Sequence, residues 1–149
     1  MSTVVTQPTE YVYGLKVRIF PSSKQKQQIK RSSDAARFIY NELVAINQEL
    51  YRLKKIKIYI QQVVQRIEQL TNRQKSFVKI ADLHPWLHDP LIDSLAKSNA
   101  IMTYRQSLNR HFKVANTGLP KFHKKNYEER YQTSNQKSTD IFSGSIRFL

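Results

Sequence analysis

A chain of 149 residues with 40% hydrophobic content is long enough for one or two small domains with a real core. Its 25 Lys plus Arg against 11 Asp plus Glu leave a formal net charge of +14, which self-repels unless an anionic partner offsets it. The absence of cysteine excludes disulfides and thiolate metal sites, and makes the cytoplasm the simplest home. Nucleic acid is the leading partner. A membrane surface comes second, because the basic residues are dispersed and no anchor, signal peptide or spanning segment is visible.

Residues 1–9 read as a loose terminus. From Tyr11 to Phe20, Leu15, Val17 and Ile19 alternate with Lys16, Arg18 and Phe20, the period of a strand with one apolar and one largely basic face. Pro21 lacks an amide donor and stops it. Ser22 with Gln25 three residues on has capping-box spacing and predicts a polar helix near Ser23–Ser32, with Ile29 as its main apolar contact. Asp34 can cap a second helix to about Leu53, whose Ile39, Leu43, Ile46, Leu50 and Leu53 step by four and three.

Residues 54–58 suit either a turn or a continuation of that helix. Ile60, Val63, Val64, Ile67 and Leu70 define a further helix, with Thr71–Gln74 as its exit. Phe77, Ile80 and Leu83 fit a short helical segment. His84 and His88 have an i, i+4 spacing that a metal can use, but Pro85 breaks the regularity and no third ligand is near; packing around Trp86 is the simpler reading. Asp89 and Pro90 suit a cap and first position for the next helix, with Ile101, Tyr104, Leu108 and Phe112 on one face and Arg105 and Arg110 off it. That helix ends near Val114–Thr117, before Gly118.

The segment GLPKFHKKNYEER combines Lys121, Lys124, Lys125 and Arg130 with the rings of Phe122 and Tyr127. Cations neutralise phosphates and ring faces stack on bases, although ordinary surface loops carry such mixtures too. Ile141, Phe142, Ile146 and Phe148 around Gly144 suggest a short hairpin whose last strand pairs with Leu15–Ile19, bringing the chain ends together. No Gly-rich phosphate loop or nucleophile elbow is present. Asp82, Asp89 and Asp93 are neighbours in sequence, but a two-metal nuclease needs carboxylates converging from several elements.

Several stretches resemble, in order, the N-terminal region of the TnpB (OrfB) proteins of insertion sequences: Leu15 to Pro21, Gln28-Ile29, Ala36 to Asn41, Trp86-Leu87, Asn99 and His111-Phe112, then Gly118 to Phe122 with Lys124-Lys125, and Tyr131. Residues 54–83 depart most from that pattern. These proteins are RNA-guided DNA nucleases related to type V CRISPR effectors. The resemblance implies a mainly α fold with a small β element, in which a helical recognition lobe is inserted in an incomplete wedge-type β-barrel. Residues 10–21 would be its first strand, 22–117 the lobe, with helix-turn-helix character, and 118–149 a basic linker and returning strands. The RuvC-like domain that carries the catalytic carboxylates would lie beyond Leu149, so the chain is expected to be a truncated, non-catalytic part needing no cofactor.

The resemblance also implies binding of guide RNA and double-stranded DNA. The expected contacts are Lys16, Arg18, Arg37, Arg105, Lys121, Phe122, Lys124 and Lys125, whose cations join in one positive groove if the two ends of the chain meet. Ser94, Ser98 and Gln136 match positions that read a short DNA motif, although their residue types differ from those expected. The alternatives are half of a split nuclease completed by another chain, a stand-alone DNA-binding regulator, a gene relic without function, and a surplus of charge spread evenly that binds nothing specifically.

Overall fold

A computed structural model describes residues 18–57, 60–125 and 131–133. Among these residues the elements are α1 (Ser23–Lys54), α2 (Gln61–Lys75), α3 (Phe77–Leu83), a 3₁₀ turn (Pro85–His88) and α4 (Ser94–Lys113). No helix among them is long and apolar enough to cross a membrane.

The capping box at the start of α1 forms as its spacing predicts. The Gln25 amide donates to Ser22 Oγ at 3.4 Å, and the Ser22 amide to Gln25 Oε1 at 2.8 Å. The two predicted helices, Ser23–Ser32 and Asp34–Leu53, are however one helix of 32 residues. Its would-be break is used otherwise. Ser32 and Ser33 are buried, and Ser32 Oγ accepts the Asp93 amide at 3.1 Å. Asp34 does not cap; it pairs with Arg37 one turn on, at 2.7 Å. A serine whose hydroxyl is held by another element no longer competes for its own backbone, so the helix runs through.

The stripe of Ile39, Leu43, Ile46 and Leu50 is buried as its periodicity requires. It serves two cores. Ala35, Ile39, Tyr40, Leu43 and Val44 pack with Ala100 and Tyr104 of α4, Ile80 and Ala81 of α3, and Leu87 of the 3₁₀ turn. Ile46 and Leu50 pack with Leu70 of α2, flanked by Leu53 and Ile67. Arg66 donates to both carboxylate oxygens of Glu49, at 2.7 and 3.1 Å, and so ties α2 to α1. The pair lowers the Glu49 pKa and raises that of Arg66, chiefly through the side-chain hydrogen bonds.

Several boundaries differ from expectation. Thr71–Gln74 is not an exit but the last turn of α2, in which the Thr71 hydroxyl donates to the Ile67 carbonyl at 2.7 Å. Leu87, not Trp86, is the buried anchor of the 3₁₀ turn; Trp86 is half exposed and meets Phe38 edge-on. Asp89 caps no helix. It accepts the Leu91 amide in a turn and pairs with Arg31 at 2.8 Å. Asp93 caps α4 instead, accepting the Leu95 amide at 2.9 Å. Tyr104 is buried on the predicted face of α4, but Phe112 at its end is 74% exposed. Beyond α4, Asn116 takes a left-handed backbone (φ 62), a conformation asparagine tolerates.

There is no strand among the described residues. The predicted strand Tyr11–Phe20 is described only at Arg18–Phe20, which are exposed and in no regular element. Its remainder, and the predicted C-terminal hairpin, lie outside the described residues. The mainly helical part of the expectation is what the structure shows.

Candidate nucleic-acid interface

An uninterrupted α1 sets several of its cations in phase, while Lys24, Arg31 and Lys54 lie off that side. Steps of four and three residues carry one side of the helix through Lys26, Lys30, Asp34, Arg37, Asn41, Ala45, Gln48, Arg52 and Lys55. Five of these nine are basic and one is acidic. Lys26, Lys30, Arg52 and Lys55 are exposed. Lys55 lies just past the helix, with its ammonium 4.3 Å from the Tyr51 ring centroid. The 29-residue interval from Lys26 to Lys55 measures about 44 Å at 1.5 Å per residue.

At the middle of this stripe the chain after α4 returns to α1. Asn41 Nδ2 donates to the His123 carbonyl at 3.0 Å, and the His123 amide donates to Asn41 Oδ1 at 2.8 Å. The His123 ring stacks on Tyr40, with centroids 3.8 Å apart and planes 9° off parallel. Burial against this surface lowers the imidazole pKa. Tyr40 also makes an edge contact with Tyr104, whose phenol pKa burial raises. A second amide fixes the chain further along: Asn99 Nδ2 donates to the Gln132 carbonyl at 2.9 Å. Next to it, burial raises the Tyr131 pKa first, and the Asp93 carboxylate adds to the shift.

These anchors place Lys121, Phe122, Lys124 and Lys125 within two residues of the His123 clamp, all exposed. Arg37 lies one turn from Asn41 on the same side, although its charge is already paired with Asp34. Arg37 thus stands one helical turn from the residue that anchors His123. Arg105 is on α4, where Ser94, Ser98, Met102, Arg105 and Asn109 form an exposed stripe. That helix contains no acidic residue. The Ser98 hydroxyl donates to the Ser94 carbonyl at 3.2 Å. Arg18 is exposed near the start of α1, its guanidinium 5.2 Å from the Phe20 ring centroid. Lys16 and Gln136 lie outside the described residues.

Sequence reasoning missed the parts that assemble this surface. Tyr40, Asn41, Asn99 and His123 carried no predicted role. The available signal was an asparagine beside an apolar helix stripe, where a carboxamide needs a partner. Among the described residues, no group of three or more His, Asp or Glu is placed to hold a metal ion. Two of the clustered carboxylates are engaged structurally, Asp89 with Arg31 and Asp93 as the α4 cap.

Comparison with known proteins gives one match. Residues 13–55, less than a third of the chain but including all of α1, match the model of the helix-turn-helix domain of OrfB proteins of the IS605 type. No curated protein matches the chain, and no solved structure matches it. Within residues 23–54 the matched segment is one helix without a turn. On this match, residues 13–55 are similar to the helix-turn-helix domain of OrfB proteins of the IS605 type.

Proposed function

We propose that this chain binds duplex nucleic acid along the basic side of α1, as the binding front of a TnpB-like, RNA-guided DNA endonuclease. The observation that carries the reading is the phase of the stripe. Dispersed surface lysines take no common direction, whereas Lys26, Lys30, Arg52 and Lys55 share one side of a rod about 44 Å long. At about 3.4 Å per base-pair step, that rod spans roughly 13 base pairs. Lys121, Lys124 and Lys125 add charge at its midpoint. The match to a helix-turn-helix domain supports DNA as one ligand. Guide RNA is the other ligand in this reading, with phosphate contacts giving affinity and orientation. Ser94, Ser98 and Arg105, exposed on an acid-free helix, supply the side chains for reading base edges. The chain cuts nothing by itself; cleavage belongs to carboxylates on another domain or chain.

The test is binding by the purified chain to DNA duplexes and RNA–DNA hybrids of increasing length. Affinity should rise with length and level off near 13 base pairs, and no strand should be cut in magnesium. Affinity that grows indefinitely with length, at the same rate for single strands, would show a diffuse polyanion binder. Metal-dependent cleavage that survives repurification would refute the non-catalytic part.

A further inference from the structure

Residues near His123, in the chain after α4, are held on α1 by a carboxamide that uses both its donor and its acceptor. Asn41 lies on the helix, and its two bonds go to the backbone of His123, 82 residues away in sequence. Backbone pairing of this kind fixes register independently of the side chains on either flank. One position of slip would exchange which of Lys121, Phe122, Lys124 and Lys125 stand next to the helix. The stacked Tyr40 and His123 rings oppose sliding along the second direction. Nearer the end of α4, His111 Nδ1 meets the Thr117 carbonyl.

We propose that Asn41 is a positioning residue for nucleic-acid binding: it touches no phosphate but sets the Lys121–Lys125 cations in line with the basic side of α1. This rests on the proposed function above and deepens it. Without the clamp the lysines remain on the chain with their charges, yet they are no longer held opposite successive phosphates. An ordered row releases counterions as a set, whereas a loose segment gains less and spends entropy on each contact.

The experiment compares Asn41→Ala, the triple variant Lys121→Ala/Lys124→Ala/Lys125→Ala and their combination. A 16-base-pair duplex is titrated in 50–300 mM salt, with melting temperature and helical content as controls. The triple variant should flatten the slope of log affinity against log salt by up to about 2.7, at 0.9 per phosphate contact. Asn41→Ala should give at least half of that change with every lysine in place, and should add little in the combined variant. Hydrogen exchange at the His123 amide should speed up in Asn41→Ala. His123→Pro removes the same amide donor from a non-helical segment and should reproduce the slope change, which keeps the test open if Asn41→Ala weakens the helices. If the triple variant flattens the slope and neither Asn41→Ala nor His123→Pro does, the positioning role is wrong and the proposed function stands. If the effects of Asn41→Ala and the triple variant simply add, Asn41 acts by some other route, and the inference is overturned. If the triple variant changes nothing, the lysine row binds no phosphate and this part of the proposed function falls with the inference.

Discussion

Replacing Lys30, Arg52 and Lys55 by alanine removes three cations from one side of α1 and nothing from either core. All three are exposed, and none takes part in an ion pair among the described residues. If each neutralises one phosphate of a duplex, the salt slope should flatten by about 2.7, at 0.9 per contact. With affinities equal near 1 M salt, that corresponds to a loss of about 500-fold at 0.1 M and about 80-fold at 0.2 M. The control is Lys24→Ala/Lys75→Ala/Lys79→Ala, which removes the same formal charge from exposed positions off the stripe. Lys24 is turned away from the stripe on α1, and the other two lie on α2 and α3. Fluorescence anisotropy with a labelled 16-base-pair duplex over a salt series reads both quantities. Equal losses in slope and affinity for the two triples would refute the stripe. The net charge of +14 would then act as a uniform field whose strength depends on its sum and not on its placement.

Leu87 is fully buried in the main core, so Leu87→Ala should lower unfolding free energy by about 2–5 kcal/mol in a denaturant titration, while the half-exposed Trp86→Ala should cost less. Glu49→Gln keeps the side-chain shape but removes the charge and leaves Arg66 one acceptor in place of two; with both side chains about two-fifths exposed, the loss should stay below about 1 kcal/mol. The docked His123 imidazole has its pKa below the ordinary 6.5, so the undocked chain binds more protons as pH falls through that value. Docking of residues 118–125 should therefore be fullest above pH 6.5 and weaken on acidification until the docked ring itself protonates, as read by exchange of the His123 amide, and His123→Phe should abolish the dependence.

Much of the helical frame was legible because burial enforces periodicity. Ile39, Leu43, Ile46 and Leu50 had to face a core once spaced by three and four residues, and they do. The capping box of Ser22 and Gln25 was equally local, and it forms. Errors arose where one residue had two legitimate uses. Asp89 and Asp93 both suit a helix cap, and the choice depends on Arg31, 58 residues from Asp89, which draws that carboxylate into an ion pair. Phe112 continued the apolar step of Tyr104 and Leu108, but the core ends before it and leaves it in solvent. For the candidate interface, charge marked the Lys121–Lys125 cluster, yet not the clamp. The Asn41–His123 pairing is non-local and uses backbone atoms on one side, so no residue pattern announces it.

The continuity of α1 links these observations. Lys26 and Lys30 precede the expected break at Ser32–Asp34; Arg37, Arg52 and Lys55 follow it. A turn there would give the two halves unrelated axes, and the basic residues would form two short patches. With α1 continuous, its 100° advance per residue carries one phase from Lys26 to Lys55. What keeps it continuous is tertiary: Ser32 is fully buried and its hydroxyl takes the Asp93 amide at the start of α4. This contact between α4 and α1 thus also occupies a lone pair of a hydroxyl at the expected break. The length of the basic stripe is in this sense tied to the packing of α4, some sixty residues away in sequence, and not to the helical propensity of α1 alone.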